Sequence, residues 1–344
     1  MAIGNGALAH VSGVGRRHRS RRLAALVGAG ALWALAFASS TASAQAYPSR
    51  PVRIIVPFAA STPVDIVSRL VAERLRGPLG GEAIVVENRP GAMGMLGISE
   101  VLRQPADGHT LMMIAMPLSV TQTINTHATF DLRRDFVALG QTVWSYNVLA
   151  VTPSVNARSV AELVALMKPP GGRWSYASGG AGTPAHIAGE FFKQRAGVEA
   201  QHVPYNQFPQ AIGDLLGGQV QYMFAAIPPV IGHVNAGRLR PLAVTGPQRL
   251  ASLRDVPTMV ESGFPDFVVR DWQGLLARAG TPRDVVERVN RALGEALASD
   301  TVRQALPTLG AEVAPGSPED FARLIASEIE RWGAVARTAG IRVD

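Results

Sequence analysis

Residues 56–66 read Val-Pro-Phe-Ala-Ala-Ser-Thr-Pro-Val-Asp-Ile and follow the apolar run Val52-Arg53-Ile54-Ile55. The run is strand-like, and the residues after it open a helix. Thr62 is placed to cap it, Pro63 sits at the first helical position where its missing N–H costs nothing, and Asp65 stands where it can close a capping box. Ile66, Val67, Leu70, Val71 and Leu75 then recur at the spacing of one buried helix face, with Arg69, Glu73, Arg74 and Arg76 mostly elsewhere. Strand, small-residue turn and amphipathic helix make the βα unit of a parallel-sheet protein. Capping leaves the turn Pro57-Phe58-Ala59-Ala60-Ser61 unexplained.

The same grammar extends along the chain. Strand-like runs at Val52–Val56, Ala83–Glu87 and Thr110–Ala115 alternate with helix-like segments. Helix openings recur at Ser159-Val-Ala-Glu162, Thr281-Pro-Arg-Asp284 and Ser317-Pro-Glu-Asp320; after the last, Phe321, Leu324, Ile325, Ile329 and Trp332 form a stripe that reads as core. A second block begins after Leu149-Ala-Val-Thr-Pro153, with strands expected at Trp174–Ala177, His202–Tyr205, Gln219–Ala225 and Arg240–Val244. Asp271–Gly280 is a candidate strand returning to the first block, ahead of two long helices. Two α/β lobes joined by two chain crossings put a cleft between them, at strand C-termini and helix N-termini. The expected division is 45–148 with 245–344 for lobe 1, and 149–244 for lobe 2.

Residues 1–44 stand apart. Arg16, Arg17, Arg19, Arg21 and Arg22 precede an apolar run from Leu23 to Ala38, and Ala42-Ser43-Ala44 has the small-x-small form of a cleavage site. The run is shorter than the roughly 20 residues a membrane span needs, so it reads as an export signal cleaved near Ala44. Ser20-Arg21-Arg22-Leu23 hints at the twin-arginine route. The formal charge of +7 rests on these five arginines: without them 28 bases face 26 acids. With no basic patch interleaved with aromatics, nucleic acid is not an expected partner. The chain has no cysteine, which excludes disulfides, thiolate metal sites, a cysteine nucleophile and a lipid-bearing N-terminal Cys. A freely soluble exported protein of the periplasm is the expectation.

Catalytic patterns are missing. There is no G-x-S-x-G, no G-x-G-x-x-G or Walker pattern after residue 44, and no H-E-x-x-H. His109, His127, His186, His202 and His233 show no metal-ligand spacing, and no cofactor or metal is expected. What the chain offers instead is small-residue loops ahead of helices: Pro57–Thr62, Pro90-Gly-Ala-Met-Gly-Met-Leu-Gly97 and Ser178-Gly-Gly-Ala-Gly-Thr183-Pro184. Helix N-termini expose unpaired N–H groups at a positive dipole end and can hold a carboxylate without a buried arginine. One such loop can be an ordinary turn; three around a cleft favour anion binding.

Tyr47-Pro-Ser-Arg-Pro-Val-Arg-Ile-Ile-Val-Pro-Phe58, Pro63-Val-Asp65, Val86-Glu-Asn-Arg-Pro-Gly-Ala92, Pro105-Ala-Asp-Gly-His-Thr-Leu111, Ser178–Phe192, His202-Val-Pro-Tyr205, Asp214-Leu-Leu-Gly-Gly-Gln219, Asp255-Val-Pro-Thr258 and Ala279-Gly-Thr-Pro282 together resemble the Bug-type extracytoplasmic solute receptors of tripartite tricarboxylate transporters. The similarity runs in order through nearly all of the chain after residue 44. It implies an α/β type II periplasmic-binding-protein fold, a Venus flytrap that closes two lobes on a small carboxylate and delivers it to a membrane permease. It also implies a non-catalytic receptor, monomeric as such receptors usually are. The ligand-binding residues it implies are Phe58, Ala60, Ser61, Thr62, Asp65, Pro117, Ser119, Ser178, Gly179, Thr183, Tyr205 and Ala226. Relatives commonly carry Pro-Gly-Gly-Pro-Thr-Asp where this chain has Ala60-Ser61-Thr62-Pro63-Val64-Asp65, so hydroxyls replace bare glycines. Ala225 and Ala226 stand where many relatives show an acid, which leans toward a ligand without an amine, with Asp65 the remaining charge. Competing readings are an exported hydrolase or isomerase on the same scaffold and a ligand sensor for a two-component system.

Overall fold

A computed structural model describes residues 47–60, 62–169, 171–205 and 207–342. The expected export signal and its cleavage point lie outside the described residues, as does Ser61.

The first strand, turn and helix form as the sequence predicts, but the capping box is only half made: Thr62 accepts from the Asp65 N–H, while the Asp65 carboxylate accepts from Asn88 and Arg69. Strand β1 (Val52–Val56) leads through the turn to helix α1 (Pro63–Leu75), which buries Val64, Val67, Val71 and Leu75. β1 lies parallel to β2 (Ile84–Asn88) on one side and β3 (Thr110–Ala115) on the other. Ile54, Ile55 and Val56 are fully buried, because helices cover both faces of a parallel sheet and leave no polar-out position. Two helices complete this layer: α2 (Met95–Arg103) after β2, and α3 (Met116–Ile124) directly after β3.

The sequence reading missed one element that organises the whole. β4 (Phe136–Val151) is a single strand of 16 residues. Up to Tyr146 it pairs antiparallel with β9 (Arg270–Arg278), which itself pairs antiparallel with β3. From Asn147 it pairs antiparallel with β7 (Tyr222–Ala226), and from Val148 also with β8 (Arg240–Val244). The boundary read near residue 149 therefore falls inside a strand. Neither glycine nor proline interrupts Trp144–Val151, and the chain changes partner between Tyr146 and Asn147 without leaving extended geometry. β5 (Ser175–Ser178) and β6 (Gln201–Pro204) extend the second sheet in parallel from β7, while β10 (Ala311–Val313) adds to β4 on the first. The second crossing is the segment between β8 and β9, held where the Thr245 N–H donates to Asn147 O and the Val269 N–H donates to Thr245 O.

Helices α4 (Val160–Met167), α5 (Pro184–Ala196), α6 (Phe208–Leu216) and α7 (Ile227–Asn235) belong to the second sheet. α8 (Arg283–Ala298), α9 (Asp300–Ala305) and α10 (Pro318–Thr338) close the chain. The capping box at Ser317 and Asp320 forms as read. The one expected at Thr281 does not: α8 begins at Arg283, and the Thr281 hydroxyl donates to Arg278 O at 2.8 Å. α10 spans both sheets. Its Phe321 packs edge-on against Trp272 of β9, and Trp332 packs edge-on against Phe191 of α5. Among the described residues no helix is long and apolar enough to cross a membrane.

Candidate functional site

Five helices that begin along the cleft carry proline in the first turn: α1, α3, α5, α6 and α7. At α1 the Thr62 hydroxyl accepts from the Asp65 N–H at 3.4 Å and donates to Ala59 O at 2.8 Å, tying the turn to the helix start. Asn88, at the end of β2, braces the same turn, because its Nδ2 donates to Phe58 O at 3.2 Å and to Asp65 Oδ1 at 2.9 Å. Arg69 reaches the other Asp65 oxygen at 3.2 Å. The charge expected of Asp65 is thus held by Arg69 and Asn88, and the turn it stabilises is the part that faces the cleft.

The loop before α5 is held from inside. Ser178 Oγ shares a 2.6 Å hydrogen bond with His202 Nε2 and accepts from the Gly180 N–H at 3.0 Å. The Gly182 N–H donates to His186 Nδ1 at 3.1 Å, and the Thr183 hydroxyl donates to Gly180 O at 2.7 Å. Gly180 and Gly182 take φ of 110° and 76°, a region that side chains disfavour. An acceptor role for Nδ1 requires neutral His186, and burial drives its pKa down to about 3, helped by nearby His202 and Lys193. Burial also lowers His202. At α7, Pro228 and Pro229 follow Ile227, so that helix start lacks two of the N–H groups an anion would use.

Two cavities flank the Ser178–Thr183 loop. The first, about 190 Å³, is bounded by Pro63, Val64 and Val67 of α1, by Gly179 and Thr183–Ala185, and by Ala226–Pro228; its floor is Ser145–Asn147 of β4 with Asp271 and Gln273 of β9. The second, about 450 Å³, is bounded by Pro57–Ala59, by Pro90, Gly91, Met93 and Gly94, by Pro117, Leu118 and Thr121, and by Gly179–Ala181 with Thr183. Gly179 and Thr183 line both.

Of the twelve residues singled out from sequence, Phe58, Pro117, Gly179, Thr183 and Ala226 line a cavity. Ala60 is exposed at the turn, and Thr62 and Asp65 stand behind it without bounding either space. Three residues point away. Ser119 is fully buried and donates to Met116 O at 2.7 Å. Ser178 is fully buried under its own loop. Tyr205 donates to Asp214 at 2.7 Å, and burial raises its pKa to about 12. Short polar residues at helix starts are as useful for closing a loop as for meeting a ligand, and Ser119 and Ser178 serve their own loops here.

Asp271 and Gln273 were not anticipated. They alternate with Trp272 along β9, so both face the cleft while the indole faces the core. Two polar residues on one face of an otherwise apolar strand were the available signal. Asp271 supplies to the cleft the acid that Ala225 and Ala226 lack, and burial lifts its carboxyl to about 7.

A family model described as "Tripartite tricarboxylate transporter family receptor" matches residues 67–341. The protein BugT of Bordetella pertussis is 33% identical over 324 residues, covering 94% of this chain and 98% of its own. A solved R. palustris protein with adipate superposes with a TM-score of 0.76 at 33% identity, covering 86% of this chain and 99% of its own. MatC from Rhodopseudomonas palustris with bound malate gives a TM-score of 0.73 at 28% identity, covering 84% and 99%.

Proposed function

This chain belongs to the tripartite tricarboxylate transporter receptor family, and from that premise we propose that it captures a small organic carboxylate between its lobes and delivers it to a membrane permease. The family is one of solute-binding receptors rather than enzymes. The observation that carries the ligand class is the 190 Å³ cavity, bounded by the first turns of α1 and α5 on opposing lobes. Their dipole ends converge on one space, which suits an anion that both lobes must grip at once. Closure then follows ligand binding because only the closed state engages both helix starts.

Gly179, Thr183 and Ala226 form the contact surface in this reading, while Phe58 and Pro117 line the larger neighbouring space. Thr62, Asp65, Ser178 and Tyr205 set the loops that present it, and Thr62 stands where relatives carry the second glycine of that turn. The close Ser178–His202 pair is the one feature a hydrolase reading would use, but its hydroxyl is sealed from both cavities. We further propose export to the periplasm without a lipid anchor, and a monomeric receptor.

A thermal-shift screen of the purified protein against carboxylates, amino acids and neutral sugars tests the ligand class. A ligand at 100 times its Kd adds about 2.7 kcal/mol of stability. Selective shifts with carboxylates support the reading; shifts with sugars alone, or with nothing in the panel, overturn it.

A further inference from the structure

The wall of the 190 Å³ cavity is mostly apolar: Val64, Val67, Ile227, Pro228, Leu309 and Ala311 contribute to it. Polar side chains of β4 that reach it are already engaged, Ser145 with Asp271 itself. The Tyr146 hydroxyl bonds Glu312, and Asn147 Nδ2 donates to Phe224 O at 3.0 Å. Two atoms are not engaged. Asp271 Oδ1 and Gln273 Oε1 are buried and have no hydrogen-bond partner among the described residues. Gln273 is 1% exposed.

A buried polar atom without a partner destabilises the fold, because it has left its water and gained nothing in exchange. Two of them side by side on one strand, on residues that line the same cavity, are a standing cost that a bound molecule can remove. Both are acceptors. A plain carboxylate has no proton to offer them, whereas a hydroxyl or an ammonium does.

We propose that Asp271 and Gln273 form the specificity-determining end of the cleft and select a carboxylate that also carries a hydroxyl or ammonium donor on a short apolar chain. The proposal rests on the carboxylate-receptor reading: the helix starts of α1 and α5 take the carboxylate, and the β9 pair takes the donor. It reverses the lean toward an amine-free ligand drawn from Ala225 and Ala226, because the acid comes from a different strand.

The setting of Asp271 is consistent with this role. Burial raises its carboxyl to about 7, opposed by the N–H groups of Trp272 and Met116 and the Ser145 hydroxyl, while Glu328 of α10 adds a push upward. Its charge therefore develops across neutral pH. Preference for an ammonium over a hydrogen at the same carbon should grow between pH 6 and pH 8.

The test is calorimetric titration of matched sets: succinate, malate and aspartate; butyrate and 3-hydroxybutyrate; phenylacetate and mandelate. The wild-type protein should bind the donor-bearing member of a set roughly tenfold or more tightly than its parent. Asp271→Leu and Gln273→Met, each checked for folding by its melting temperature, should reduce that advantage severalfold while the parent's affinity moves little. Parents that bind as well as their donor-bearing partners overturn this inference and leave the receptor reading standing, as does an advantage that survives both substitutions. If no carboxylate in any set binds, the receptor reading fails and this inference falls with it.

Discussion

The imidazole of His186 lies 3.9 Å from that of His202, centroid to centroid, with the rings 15° apart. Two rings stacked this closely cannot both carry a proton. Burial lowers both, and His186 to about 3. An unfolded histidine titrates near 6.5, so the folded state holds fewer protons below that pH and His186 removes stability as pH falls from about 6.5 toward 3. Asp271, raised to about 7, acts in the opposite sense over about pH 4 to 7. The histidine effect is therefore read as a difference: His186→Asn, which can still accept from the Gly182 N–H, should lose less melting temperature than wild type between pH 7 and pH 5. Parallel pH curves for the two proteins would sink the idea.

Asn88 is predicted to matter for binding without touching the ligand. It joins Phe58 O to Asp65, so Asn88→Ala releases the turn from both. Loss of about 1–2 kcal/mol of positioning corresponds to a roughly 5- to 30-fold weaker Kd. Titration of the best ligand from the screen checks this, and an unchanged Kd would mean that the turn is held by Thr62 alone.

Glu328 accepts from both Trp272 Nε1 at 3.0 Å and Trp332 Nε1 at 2.7 Å. Burial raises its pKa, so the folded state binds the extra proton and this group's contribution falls as pH rises through its folded value. Glu328→Gln keeps an acceptor and removes the charge, and it should leave stability at pH 7 equal or higher. Glu328→Ala leaves two buried indole N–H groups unpaired and should cost about 2–5 kcal/mol in urea denaturation.

Gly274 is fixed by packing. A Cβ there would stand 2.2 Å from the Phe321 ring and 2.7 Å from Gly140 O. The backbone oxygen cannot step aside, so Gly274→Ala should destabilise by about 1–3 kcal/mol or more. Denaturant midpoints measure it. A neutral result would show that β4 and β9 can separate at that register.

Thr62→Ala removes an acceptor for the Asp65 N–H and a donor to Ala59 O together. Loss of a cap alone costs about 1 kcal/mol. The predicted variant also loses ligand affinity, and Thr62→Ser restores both. If affinity holds while the melting temperature drops by a cap's worth, Thr62 serves the helix only.

The sequence by itself determined the βα order, the first helix and its cap, the capping box of α10 and the family. Those features are local, because periodicity, proline at N1 and a short polar cap act within one turn of chain and appear as pattern. Which of the candidate residues line a cavity was decided by tertiary structure. Ser119, Ser178 and Tyr205 read as binding groups until Met116 O, His202 and Asp214 are seen to occupy them. Asp271 and Gln273 lie more than 120 residues from the β4 strand beside them, and no pattern along the chain announces that adjacency. Whether a polar atom is available depends on what the rest of the molecule has already bonded, and that is a property of the packed fold.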